Sequence, residues 1–193
     1  MACNCNNQNA NNCGNSNPIE LIATGAQGTA GVNGADATPP VIYNNHTDAT
    51  DINNTSAQTL KTTTLDNTPT PVMADNGDYL LIETYFTVGV GTTTNLDLNL
   101  GTTTLATVNV TAAVAQDVRL WAVVSRTAVA AQQIEGFSEV LGLPSSITGT
   151  AIASGTENFA VDLAVNAIST KSVSVGAADV TCKYLRITLF NII

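Results

Sequence analysis

Four glycines at a strict spacing of three, Gly25, Gly28, Gly31 and Gly34, stand near the start of this chain in the run GAQ-GTA-GVN-GAD. A glycine at every third position is what a collagen-type triple helix needs, because only a residue without Cβ fits at the axis where three chains meet. The run is short and holds no proline to pre-set the polyproline II conformation, so neighbouring segments would have to hold three chains together. A flexible linker of Gly, Ala and Thr has the same composition. Both readings of residues 25–37, a three-stranded shaft and a plain linker, stay open on the sequence alone. Either one sets the N-terminal segment apart from the body of the chain.

That N-terminal segment is a polar tail. Residues 1–18 contain eight asparagines, three of the four cysteines (Cys3, Cys5 and Cys13) and no charged side chain. Such a segment has little apolar surface to bury and cannot offset the entropy of ordering. It lacks the basic start and apolar run of a secretory signal, and no stretch of about 18 apolar residues occurs in the chain, so no membrane partner is expected. Ile19, Leu21 and Ile22 then form a short apolar piece. Residues 1–24 therefore read as an anchor that folds on binding another protein, with Cys3, Cys5, Cys13, Ile19, Leu21 and Ile22 as its distinctive residues. Cys-x-Cys with a third cysteine eight positions on is not a zinc spacing, and no metal is assigned to it.

The remainder reads as β structure. The chain has 29 threonines, and its 44% hydrophobic share comes mainly from Val, Ala, Leu and Ile. β-Branched residues favour the pleated, half-buried surface of a sheet. The net charge is −9 and the six basic residues are scattered singly. No basic patch is present to neutralise phosphates or meet an anionic membrane, so nucleic acid is not an expected partner.

Alternation locates the strands. Over Tyr79–Val88, Leu80, Ile82, Thr84, Phe86 and Val88 share one face, and Leu81, Glu83, Tyr85 and Thr87 the other. Asn76-Gly77 just before it predicts a tight hairpin turn. Leu96, Leu98 and Leu100 alternate with Asp97 and Asn99, and Gly101-Thr102 turns the chain toward Leu105–Val110. Val118–Thr127 is apolar on both faces in its middle. Phe159 to Val165 alternates again, and Val180–Ile193 forms a long last strand in which Cys182 is a small buried residue. Residues 141–144 and 153–155 read as loops. Strands apolar on both faces are either internal to a two-layer sandwich or covered by a partner chain. The expected divisions are the anchor 1–24, the shaft or linker 25–37, a connecting β/loop segment 38–68 and an antiparallel β-sandwich head 69–193.

The order of tail, glycine triplets and β-rich body resembles a phage head-fibre, decoration or tail-fibre structural protein with a jelly-roll-type head. The residues that carry the likeness are Asn76-Gly77-Asp78-Tyr79-Leu80 entering a long strand, Leu98-Asn99-Leu100-Gly101 ending another, and the apolar run from Arg119 through Trp121 to Arg126. Complement-like and tumour-necrosis-factor-like heads share this architecture. The resemblance implies a homotrimer whose N-terminus grips a capsid or other virion shell protein after assembly in the host cytoplasm. It also implies a second possible role for the head, as a receptor- or host-glycan-binding tip, although aromatics make up only 5% of the chain.

No catalytic residue and no cofactor is expected. His46 with Asp48 and Asp51 has metal-ligating residue types, but the retained reading is a polar loop. Asp75 and Asp78 around Asn76-Gly77 read as turn residues before they read as calcium ligands. A polysaccharide-degrading fibre would need paired carboxylates, such as Glu135 with Glu139 or Asp162, and nothing in the sequence singles these out.

Overall fold

The computed structural model describes residues 41–191, apart from 53–54, 69–70, 142–145, 150–152, 174–175 and 177–178. Every site residue expected in the anchor and in the shaft lies outside the described residues.

The described chain forms twelve strands and no helix: β1 (Val41–Asn45), β2 (Ala49–Thr50), β3 (Gln58–Leu65), β4 (Tyr79–Val88), β5 (Thr93–Leu100), β6 (Thr103–Thr111), β7 (Gln116–Ala128), β8 (Ala131–Leu141), β9 (Ser146–Gly149), β10 (Ala153–Gly155), β11 (Leu163–Val173) and β12 (Val180–Phe190). They make two antiparallel sheets. The larger has the order β1-β12-β4-β7-β8-β10, with β2 on β12 and β9 on β8; the smaller has the order β3-β11-β5-β6. This is an all-β fold of the β-sandwich kind, and its core lies between the sheets. Leu80, Ile82 and Phe86 of β4 join Leu120, Ala122 and Val124 of β7, Leu96, Leu98 and Leu100 of β5, and Val165 and Ala167 of β11 in one buried cluster. The period of two puts these residues on one side of each strand.

Several strand and turn expectations differ from the structure, each for a local reason. The segment 38–68 contributes to both sheets, β1 pairing with β12 and β3 with β11. Residues 39–193 accordingly cluster as one unit. Ala153–Gly155 is a strand on β8, not a loop. β11 starts at Leu163. Phe159 lies before it, fully buried, with its N–H donating to Val129 O at 2.9 Å. Asn76-Gly77 makes a tight turn, with Gly77 at φ 101° and Asp78 N–H bonded to Asp75 O. It is not a hairpin, because the strands on either side of it, β3 and β4, belong to different sheets. Arg126, largely buried, donates to the carbonyls of Met73 and Ala74 and ties this crossing to β7.

Gly101 does turn the chain between β5 and β6. Its φ is +56°, and a Cβ there would collide with the Glu157 carboxylate. That carboxylate accepts from Thr102 N–H at 2.7 Å, Thr102 Oγ1 at 2.8 Å and Thr103 Oγ1 at 2.9 Å. Burial works against its charge, but these bonds win and hold its pKa below the usual range. The substitution Gly101→Ala combines left-handed backbone strain with a displaced cap, and should cost about 2–3 kcal/mol in chemical denaturation.

Cys182 is fully buried on β12, with Sγ 3.3 Å from Thr84 Oγ1. Burial pushes its thiol from 9.0 up to about 11. A folded pKa above the unfolded one gives stability that is complete below the unfolded value and is lost as pH rises through the folded value. Relative to Cys182→Ala, the native protein should lose on the order of 2 kcal/mol between pH 9 and 11. Parallel urea titrations of the two proteins across that window measure it.

Candidate functional site

The outer faces of the two sheets differ in kind. On the smaller sheet, threonine and asparagine side chains bond one another across strands. Thr62 Oγ1 meets Asn166 Oδ1 at 2.7 Å, and Thr107 Oγ1 meets Asp97 Oδ1 at 2.6 Å. Asn95 Nδ2 donates to both Asp97 oxygens at 2.8 and 2.9 Å. Such a face pairs many of its polar groups with one another and suits water.

The outer face of the larger sheet is aromatic. Register sets Tyr184, Tyr85, Arg119 and Glu139 in one row across β12, β4, β7 and β8, and Arg186, Glu83, Trp121 and Phe137 in the next. Beyond these lie Thr188, Leu81, Val123 and Glu135, then Phe190, Tyr79, Ser125 and Gln133. Six of the nine aromatic residues in the chain stand here. Phe86 and Phe159 are core, and Tyr43 packs against the core from β1. The six rings are half-buried and stack in pairs: Tyr79 on Phe190 at 4.5 Å, Trp121 on Phe137 at 5.4 Å, and Tyr85 on Tyr184 at 5.9 Å between centroids. Cross-strand aromatic pairs stabilise a sheet locally, yet leave their outer surface toward solvent.

One ion pair sits among the rings. Arg119 pairs with Glu83 and lies 4.9 Å over the Trp121 ring. Glu83, among the rings, is 6% exposed. Burial opposes the Arg119 charge, but the Glu83 carboxylate overcomes it and raises the guanidinium pKa. Burial, followed by Asp117, pushes the Tyr85 hydroxyl up to about 12.

The sequence candidates for other chemistry separate in space. His46 packs against the Tyr184 ring at 5.6 Å, Asp48 pairs with Lys183 at 2.7 Å, and Asp51 turns inward to Lys171 at 2.8 Å. Asp78 uses its carboxylate to accept from Asp75 N–H at 2.9 Å. Among the described residues no three His, Cys, Asp or Glu side chains converge as a metal site. Glu135 and Glu139 lie four residues apart on β8, about 13 Å along the strand. Glycosidic carboxylate pairs stand about 5–5.5 or 6.5–9.5 Å apart. Asp162 accepts from Asn67 N–H at 2.9 Å and Thr68 Oγ1 at 3.2 Å, bonds that hold the turn before β11.

Composition hid the aromatic face, since a 5% share is low. The signal was available by placing Tyr79, Leu81 and Tyr85 on one side of β4 and Trp121 and Val123 on the matching side of β7. Comparison with protein-family models, with curated proteins and with solved structures returns no match.

Arg119→Ala would leave Glu83 without its counter-ion beneath the rings. The expected loss is about 1–3 kcal/mol, partly recovered when Glu83→Gln is added, read from urea midpoints at fixed protein concentration.

Proposed function

We propose that this chain is a trimeric structural protein of a virion, a fibre or decoration protein. Its β-sandwich head packs around a threefold axis through the aromatic face of the larger sheet. The observation that carries the trimer is the gathering of six half-buried aromatic residues on the outer face of the larger sheet. An aromatic side chain carries about 150–250 Å² of surface. Each ring keeps only a minor part of that surface open, so with Leu81 and Val123 they leave on the order of a few hundred Å², the apolar centre of an interface whose ~800 Å² per partner takes in the polar residues around it. The sheet orders, with β1-β12-β4-β7 in the larger and β3-β11-β5-β6 in the smaller, support a jelly-roll reading of the head.

Residues 1–24 then serve as the anchor on the shell protein and residues 25–37 set the head away from it. The tail's ordering cost is met on binding and shared among three copies by avidity. The virion assignment rests on this order of segments and on the resemblance.

A second reading treats the aromatic face as a platform for a sugar ligand. The flat array favours it, but each ring already gives one surface to its neighbour and Arg119 covers part of Trp121. The trimer uses the face more completely.

Native mass spectrometry of the full chain should give three times 19.9 kDa. Leu81→Asp points outward, so it should leave a folded β-sandwich of monomeric mass. Deletion of residues 1–22 should keep the trimer and abolish its incorporation into particles. A native protein that stays monomeric at micromolar concentration would overturn the trimer and leave the sugar platform as the reading of the face.

A further inference from the structure

Lys171 occupies a core position. It comes after Val165, Ala167 and Ser169 at a spacing of two on the inner face of β11, and is 2% exposed. Its Nζ lies 2.8 Å from Asp51 Oδ2, with side-chain exposures of 1% and 0%, and 3.5 Å from Asp179 Oδ2. The amine also donates to the Ile52 and Gly176 carbonyls at 3.0 and 3.4 Å. Lys61, the other buried lysine, donates to the Asn45 and Lys183 carbonyls at 3.0 and 3.3 Å with no carboxylate of the described residues beside it at bonding distance, and burial lowers its pKa.

The Asp51 carboxyl is held in place by the backbone. Asp51 N–H donates to Val180 O at 3.0 Å, and Val180 N–H donates to Asp51 Oδ1 at 3.3 Å. The other oxygen, Oδ2, is buried and has no hydrogen-bond partner, although the amine is 2.8 Å away. The close approach of Lys171 therefore lacks the angles of a hydrogen bond. A carboxyl carbon lies about 1.2 Å from its oxygens, so Nζ stands within ~4 Å of Asp51 Cγ, next to the ~3–3.5 Å of a near-attack arrangement. Asp179 is placed by Gly176 N–H, which donates to its Oδ2 at 2.9 Å, and stays within reach of the same amine.

We propose that Lys171 and Asp51 join in an intramolecular isopeptide bond that the fold forms by itself, with Asp179 moving the protons. A desolvated lysine is a nucleophile once it gives up its proton, and a dry site favours the neutral pair over two buried charges. One ammonium proton passes through Asp179 to the Asp51 carboxylate, and the neutral Nζ attacks Cγ. The tetrahedral nitrogen then gives a second proton to the Asp179 carboxylate, which hands it to the departing hydroxyl, so that one water leaves. A C–N bond forms, a C–O bond breaks, and ammonium plus carboxylate become amide plus one water. No oxidant, metal or second substrate takes part. The product staples the end of β2 to β11 and closes residues 51–171 into a ring, the kind of clamp that suits a projecting head exposed to shear.

The test is the intact mass of the purified full chain under denaturing conditions, together with tandem mass spectrometry of a tryptic digest. The expected mass is one water below that of the sequence, after allowing for the initiator methionine, with a branched peptide joining Lys171 to Asp51. Lys171→Met and Asp51→Ala should each restore the full mass. Asp179→Asn should slow the loss of water by more than tenfold while both reacting residues remain. A native protein of full sequence mass would overturn the proposal. A link from Lys171 to Asp179 would overturn the choice of Asp51, and unslowed cross-linking in Asp179→Asn would overturn the proton-transfer role. Because the mass is read on the unfolded chain, none of these outcomes depends on whether the head is a trimer.

Discussion

A two-layer sandwich can cover only one face of each sheet, and this chain gives its larger sheet an apolar inner face and an outer face of aromatic residues set among charged ones. Inward, Leu80, Ile82, Phe86, Leu120 and Val124 are removed from water by the smaller sheet. Outward, the strands that carry them place Tyr79, Leu81, Tyr85, Trp121 and Val123 on the surface. The smaller sheet faces the same solvent with threonine, asparagine and aspartate bonded to one another. One sequence thus makes a face suited to water and a face suited to a second protein surface. Hydrophobic burial scales with apolar area removed from water, so covering the aromatic face would add to the stability of the fold.

The polar groups inside the sandwich have a different task, which is to fix the chain where it passes between sheets. Arg126 holds the crossing before β4 through the Met73 and Ala74 carbonyls. Asn67, 1% exposed, bonds Val161 O and Val72 N–H and joins the end of β3 to the turn before β11. Gln132 holds both the N–H and the C=O of Glu157, whose carboxylate caps the β5–β6 turn. Buried polar groups are tolerated when their bonds are made, and these bonds fall at the crossings, where a sheet ladder cannot supply them. Lys171 with Asp51 and Asp179 stands apart, because its closest contact is not aligned as a hydrogen bond.

Where alternation was strong, the sequence was easily read. The two faces of β4, the leucines of β5, the turn at Gly101 and the buried Cys182 all come from a period of two and one glycine. β8 escaped because its inward positions include Gln132, Gly136 and Ser138, which break the apolar pattern although Gln132 is buried by its bonds to Glu157. The start of β11 was placed too early because Phe159 alternates correctly yet bonds to Val129 from a turn. Asn76-Gly77 marks a turn in any context, and only the pairing of β4 with β7 and β12 shows that the chain changes sheets there. The aromatic face needed register across several strands, which no single stretch of sequence carries. Lys171 was legible in principle, since it continues the inward series Val165, Ala167, Ser169.

Trp121 is the single tryptophan of the chain and stands within this face, stacked on Phe137 and beneath Arg119. Its fluorescence therefore reports directly on whether the face is covered. Acrylamide quenching of the native protein, compared with the outward-facing variant Leu81→Asp, is the decisive measurement. If three heads bury the face against one another, native Trp121 should emit at shorter wavelength and resist quenching, and the variant should be quenched readily. Equal, ready quenching of both proteins at concentrations well above micromolar would mean that the aromatic face stays open to water, and would contradict the trimer.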